Sequence, residues 1–227
     1  MKRIYELVVF DLDGTLIATA PEISDAVNDT LLRFKLPKVT EDRAATWIGH
    51  GTRELLVQAV AFATGTDTAT VRQSDSLMLI AAEFDKNYQQ RSGTRSRPYP
   101  QAMEVLRTLR SAGFKLALVT NKEERHAKRL LDAHHFTEMF DQMVFGDSLN
   151  TKKPGAEGVQ LCLDALGIAP ERALMVGDSW IDVETARNAG ISIWAMTHGY
   201  NGGEPISKSE PDRLIDSFDS LRKGLAA

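Results

Sequence analysis

Five short apolar runs punctuate this sequence, at 7–10, 116–119, 143–145, 173–176 and 193–196. The last four alternate with helical patterns over about 101–112, 123–133, 158–166 and 181–189. Uninterrupted apolar strands suit a sheet covered on both faces, and strands alternating with helices of ordinary length imply parallel pairing. The expected fold class is therefore α/β, with a Rossmann-like parallel sheet core and helices on both faces. All strand carboxyl ends of such a sheet share one edge, where ligands bind. The residues that follow each run are candidates for one site.

Residues 17–97 break the alternation. Thr19-Ala20-Pro21-Glu22 reads as a helix start, with Thr19 as N-cap and Pro21 in the first turn. Ala26, Leu31, Leu32 and Phe34 continue a first helix, followed by helical patterns over 44–48, 53–63 and 77–88, with no strand signal. A helical block between one strand and a strand-rich region reads as an inserted α-helical cap domain. The expected division is a core of 1–16 and 98–227 with a cap and its hinges over 17–97. The exit at 92–100 is rich in Gly, Ser and Pro, as a hinge requires. Leu214, Ile215, Phe218, Leu221 and Leu225 predict a closing amphipathic helix.

The 227 residues, 43% apolar and 26% charged, are enough for a full core. A net charge of -4 argues against a general binder of nucleic acid or anionic membranes. The single cysteine, Cys162, cannot form an internal disulfide and lies in an apolar helical pattern. Met1-Lys2-Arg3 could open a leader, but Glu6, Asp11 and Asp13 interrupt the apolar stretch it needs. A soluble cytoplasmic protein is expected, as a monomer or small homo-oligomer.

The first run ends in Asp11-Leu12-Asp13-Gly14-Thr15. In an extended segment the carboxylates of Asp11 and Asp13 point the same way. Their repulsion calls for a hard cation such as Mg²⁺, which could also hold a phosphate. Gly14 lets the backbone turn with N–H groups presented to an anion. The other strand ends supply Thr120-Asn121, able to hold a phosphate oxygen, and Lys152-Lys153-Pro154, able to offer a cation. Gly177-Asp178-Ser179-Trp180-Ile181-Asp182 places two acids one helical turn apart, Asp178 as a metal ligand and Asp182 to complete or support its shell. Each piece alone also fits a bland local role: a helix N-cap, a solvated loop lysine, a first-turn acid. Together they form one chemical set.

This constellation strongly resembles the haloacid dehalogenase superfamily of aspartate-nucleophile phosphohydrolases. The match is carried by DLDGT at 11–15, Thr120-Asn121, Lys153-Pro154 and Gly177-Asp178-Ser179 with Asp182, in order along essentially the whole chain. Trp47-Ile48-Gly49-His50-Gly51, the stretch 118–122 and His198-Gly199-Tyr200-Asn201 look most like the phosphoglycolate phosphatase branch. The resemblance implies a Mg²⁺-dependent phosphatase in which Asp11 attacks phosphorus and forms an aspartyl-phosphate. Asp13 would then act as general acid and base. It further implies phosphoryl binding by Thr120, Asn121, Lys153 and the N–H groups of Leu12 and Asp13, and metal held by Asp11, the Asp13 carbonyl and Asp178, with Asp182 nearby. Mn²⁺ or Co²⁺ could occupy the same carboxylates.

The helical cap would close over the site and select the leaving group through Gly49-His50-Gly51-Thr52-Arg53, where Arg53 could contact a carboxylate. The expected partner is a small phosphorylated metabolite, with 2-phosphoglycolate first. Sugar phosphates, nucleotides or pyrophosphate, a phosphoglucomutase-type transfer, and a non-catalytic binding protein are the alternatives. Two departures from the family pattern stand out: Ala18 where relatives commonly carry an acid, and Gly155-Ala156 where they carry a second proline.

Overall fold

The computed structural model of the chain describes residues 4–226. Its strands are β1 (Leu7–Phe10), β2 (Ile17–Ala18), β3 (Arg97–Pro98), β4 (Lys115–Val119), β5 (Gln142–Val144), β6 (Ala173–Gly177), β7 (Ser192–Met196) and β8 (Arg213–Ile215). Six of them form one sheet in the order β5-β4-β1-β6-β7-β8, with every pair parallel. The helices are α1 (Ala20–Arg33), α2 (Glu41–Ala45), α3 (Thr52–Thr64), α4 (Thr68–Gln73), α5 (Ser76–Arg91), α6 (Ala102–Ser111), α7 (Glu124–Ala133), α8 (Glu157–Leu166), α9 (Trp180–Ala189) and α10 (Phe218–Ala226).

Strand β1 explains its own composition. Val8 and Phe10 join Leu116, Leu118, Leu174 and Val176 in a core that includes residues of α6, α7 and α10. Leu7 and Val9 point the other way, into a second core with Val159, Cys162 and Val183 of α8 and α9. Alternate side chains of a strand face opposite sides, so both faces here must be apolar. Because β1 lies between β4 and β6, its carboxyl end opens at the middle of the sheet edge.

Helices α1 to α5 build a third apolar cluster around Ile23, Val27, Leu56, Val60, Phe84 and Tyr88. The two segments that link this cluster to the sheet, β2 and β3, pair antiparallel, Ile17 with Pro98 and Ala18 with Arg97. Glu22 of α1 is fully buried and accepts the Gly93 and Ser96 N–H groups at 2.9 and 3.0 Å, which fixes the exit segment.

Several expected elements shift. Leu214 and Ile215 belong to the edge strand β8, and the closing helix starts only at Phe218. Positions 214, 215, 218, 221 and 225 fit a helical period, but pairing with β7 takes the first two. Helix α4 carries no strong periodic signal because it is six residues with one buried side chain, Val71. The second helix lies at Glu41–Ala45, N-terminal to the expected 44–48, and Thr40 caps it by accepting the Arg43 N–H. Thr19 does occupy the N-cap of α1, yet its side chain makes no capping bond. The Tyr200 hydroxyl accepts the Thr19 and Ala20 N–H groups instead, at 2.9 and 2.8 Å. Among the described residues no helix is long and apolar enough to cross a membrane. Met1-Lys2-Arg3 lies outside the described residues.

Candidate active site

At the end of β1 the chain makes one more sheet bond, Asp11 N–H to the Val176 carbonyl at 3.0 Å, and then turns. Gly14 adopts φ +91°, and a side chain there would overlap the Asp178 carboxylate. Its own N–H is spent on the Ile17 carbonyl at 2.9 Å, so it is not a donor for an anion as the sequence suggested. The Leu12 and Asp13 N–H groups take part in none of these turn bonds.

Lys153 reaches across this edge from the loop after β5. Its Nζ lies 2.6 Å from Asp11 Oδ1 and 2.6 Å from Asp182 Oδ1, and all three side chains are buried. Asp182, in the first turn of α9, also accepts at Oδ2 from the Asp178 and Ser179 N–H groups and the Ser179 hydroxyl. Four donors on one carboxylate make it the group that orients Lys153 and the loop at 178–179. Asp178 receives one donor per oxygen, the Thr15 hydroxyl on Oδ1 and the Tyr200 N–H on Oδ2. Each oxygen therefore keeps a lone pair.

Asn121 is placed differently from the sequence expectation. Its amide oxygen accepts the Lys153 N–H at 2.9 Å, and its nitrogen donates to the Lys153 and Gly49 carbonyls at 3.0 and 2.9 Å. The side chain thus pins the lysine's backbone to the helical block and is already committed before any phosphoryl oxygen arrives. The neighbouring Thr120 hydroxyl accepts the Lys122 N–H at 3.3 Å and lines the cavity described below.

Asp13 is paired with a residue to which the sequence reading gave no role. Lys122 Nζ lies 3.0 and 3.1 Å from its two carboxylate oxygens, and the ring of Tyr88, from α5, covers the ammonium at 4.7 Å. The signal was present in the sequence, since Lys122 directly follows Thr120-Asn121 at a strand end. Thr15 and Tyr200 were likewise visible inside quoted motifs, without an assigned role.

A cavity of about 50 Å³ lies between the sheet edge and the helical block. Asp11, Asp13, Lys122 and Lys153 line one side, and Trp47, Phe84 and Tyr88 line the other. Gly49 and Gly51 also line it, whereas His50 and Arg53 do not. His50 packs against Trp180 with ring centroids 5.6 Å apart. Arg53 is exposed and donates to the Arg72 carbonyl at 3.1 Å. As the second residue of α3 it projects from the outer helix surface, where the end of α4 offers a free acceptor; this corrects its expected place in the substrate loop. Thr52, like Gly49, bonds to the sheet domain, through a 2.6 Å hydroxyl bond to Glu123.

Four carboxylates, Asp11, Asp13, Asp178 and Asp182, face two ammonium groups, Lys122 and Lys153, in this buried space. Burial, reinforced by Asp182, pushes the Asp11 carboxyl up to about 7 despite the opposing charge of Lys153. Asp178 is raised well above the ordinary carboxylate range by burial and then by Asp182 and Asp11. Burial alone would lower the lysine, yet Asp11 and Asp182 hold Lys153 above its usual value. With Asp11 and Asp178 both resisting ionisation, this excess of carboxylates over lysines suits a hard divalent cation on oxygen ligands. Asp11, Asp178 and Asp182 offer carboxylate oxygens all within 4.8 Å of one another.

A parallel-sheet core carrying an inserted helical block, with acids and a lysine converging beyond β1, defines a class of hydrolase. The haloacid dehalogenase-like hydrolase family model matches residues 8–196, and the chain belongs to this family. It is 36% identical to the phosphoglycolate phosphatase of Haemophilus influenzae (strain 86-028NP), over 97% of this chain and 98% of that one. The phosphoglycolate phosphatase of Vibrio vulnificus (strain YJ016) is 38% identical, with 95% and 94% covered. Among solved structures, a predicted phosphoglycolate phosphatase from Haemophilus somnus 129PT superposes with a TM-score of 0.92 at 32% identity, covering 98% of this chain and 99% of the other.

Proposed function

We propose that this chain is a phosphoric monoester hydrolase that uses Asp11 as nucleophile and takes 2-phosphoglycolate as substrate. The observation that carries the reading is the pairing of Asp11 with Lys153 and of Asp13 with Lys122 on one wall of a single small cavity. The names of its relatives support the substrate.

The chemistry follows from the side chains. An Asp11 oxygen attacks phosphorus opposite the leaving oxygen, a P–O bond forms to the carboxylate, and the ester P–O bond breaks. Asp13 hands its proton to the departing alkoxide, and its carboxylate then takes a proton from the water that attacks the aspartyl-phosphate. Lys153 and the Thr120 hydroxyl hold phosphoryl oxygens and stabilise the charge that develops on them. Asp11, Asp178 and the Asp13 carbonyl would hold a divalent cation, Mg²⁺ first, which when bound neutralises the charge shared by nucleophile and phosphoryl group.

Residues 17–97 act as a cap in this reading. Closed contacts from Thr52 to Glu123 and from Gly49 to Asn121 exclude bulk water while Phe84 and Tyr88 cover the site. A cavity of about 50 Å³, walled by Trp47, Phe84 and Tyr88, favours a small ester over a nucleotide. Phosphate release from 2-phosphoglycolate, sugar phosphates, nucleotides and pyrophosphate, with Mg²⁺ or chelator, tests the reading. A Mg²⁺-dependent preference for 2-phosphoglycolate is expected, and a preference for another ester would overturn the substrate while keeping the chemistry.

A further inference from the structure

We infer that Lys122 is the specificity residue of this site: its ammonium binds the carboxylate on the substrate's leaving group and exchanges Asp13 for it. The inference rests on the proposed 2-phosphoglycolate reading and adds the group that recognises the acid. Only two cationic side chains line the cavity among the described residues, Lys122 and Lys153. Lys153 is held between Asp11 and Asp182 and so belongs to the phosphoryl end. Arg53, the cation the sequence offered for a carboxylate, is exposed and bonded to the Arg72 carbonyl.

Lys122 has the right placement and the right partner. Its Nζ contacts both oxygens of Asp13, the group that protonates the leaving oxygen. In 2-phosphoglycolate a single methylene separates that oxygen from the carboxylate, so the acid lies beside Asp13 once phosphorus faces Asp11. The ammonium has three donors and no acceptor, and can pass from one carboxylate to another or bridge both. The Tyr88 ring, 4.7 Å above it, shields the charge from water. A desolvated cation discriminates strongly between a carboxylate and a neutral group, because a neutral leaving group cannot replace Asp13 as its counter-charge. Asp13 in turn is released from Lys122 only when an acid takes its place.

The test measures kcat/KM of the full chain with Mg²⁺ on 2-phosphoglycolate and on its neutral match, 2-hydroxyethyl phosphate. Wild type is compared with Lys122→Met and Lys122→Arg. Wild type is expected to favour the acid by at least about tenfold, and Lys122→Met to lower that ratio by at least about tenfold, chiefly through KM. A wild-type preference that survives in Lys122→Met overturns the inference and leaves the proposed substrate standing. A wild type with no preference overturns both. If the neutral variant does not fold, Lys122→Arg decides, because it keeps the buried charge. A guanidinium in that place is expected to change the ratio by at least about threefold, and an unchanged ratio overturns the inference.

Discussion

Asp182 Oδ1 accepts the Lys153 ammonium at 2.6 Å, while the other oxygen of the same carboxylate collects the N–H groups of Asp178 and Ser179. One buried acid therefore aligns Lys153, the cation of the proposed phosphoryl site, and the loop that carries Asp178. Asp182→Ala leaves Lys153 with one partner and strands three buried donors, the Asp178 and Ser179 N–H groups and the Ser179 hydroxyl, a loss expected to cost about 3–5 kcal/mol. The variant's thermal midpoint should fall by roughly 10 °C, at a conversion of about 2–4 °C per kcal/mol for a chain of this size. A midpoint within a degree or two of wild type would contradict the orienting role.

Asp11→Asn removes the attacking oxygen's charge while keeping the side chain's shape. Phosphate release should drop by at least about 10³-fold, since nucleophilic attack has no substitute in the site. Binding of inorganic phosphate, measured by calorimetry, should persist, because Lys153 remains and one repelling charge is gone. Retained turnover would rule out Asp11 as nucleophile.

The surplus of carboxylates over lysines makes the folded chain a better binder of divalent cations than its unfolded form. Mg²⁺ at about a hundred times its dissociation constant should add about 2.7 kcal/mol, raising the thermal midpoint by roughly 5–10 °C. The chelated protein should release no phosphate. A midpoint indifferent to Mg²⁺, Mn²⁺ and Co²⁺ would argue against a cation site at Asp11 and Asp178.

The Tyr200 hydroxyl takes over the N-cap duty that Thr19 leaves undone at the start of α1. Tyr200→Phe deletes that acceptor and should cost about 1 kcal/mol, comparable to losing a capping side chain. Urea denaturation reads this directly, and an unchanged midpoint would show that the two N–H groups find another acceptor.

His126 is buried beneath the ring of Tyr88 from α5, with centroids 4.8 Å apart. Burial, with the charge of Lys122, pushes its imidazole down to about 4 although Asp85 lies 3.0 Å away. The unfolded chain takes up a proton near pH 6.5 that the folded chain refuses, so stability is full above that pH and drains as pH falls toward 4. The gap in thermal midpoint between wild type and His126→Gln should narrow between pH 7.5 and 4.5. A gap independent of pH would mean that the folded and unfolded chains bind this proton equally, so that burial leaves the imidazole unshifted.

The sequence by itself determined the sheet and its active edge. Apolar runs such as 7–10 can be buried only between two helical layers, and parallel strands then carry Asp11, Thr120 and Asp178 to one side. The resemblance carried by the strand-end motifs supplied the family, and the match over residues 8–196 agrees. Local pattern also found α1, α3 and α5, whose apolar periodicity survives without tertiary information, but set α2 too late and missed the six-residue α4. It could not find β8, because a three-residue edge strand is defined by its partner β7 and by nothing periodic of its own. Nor could it decide what individual polar groups do. Asn121 spends its amide on Lys153 and Gly49, Arg53 turns outward, and Lys122, from the loop after β4, pairs with Asp13. Such roles depend on which donor lies within about 3 Å of which acceptor. Residues as distant in the chain as Asp13 and Lys122, or Asp11 and Lys153, meet only after the sheet has aligned their strands and loops.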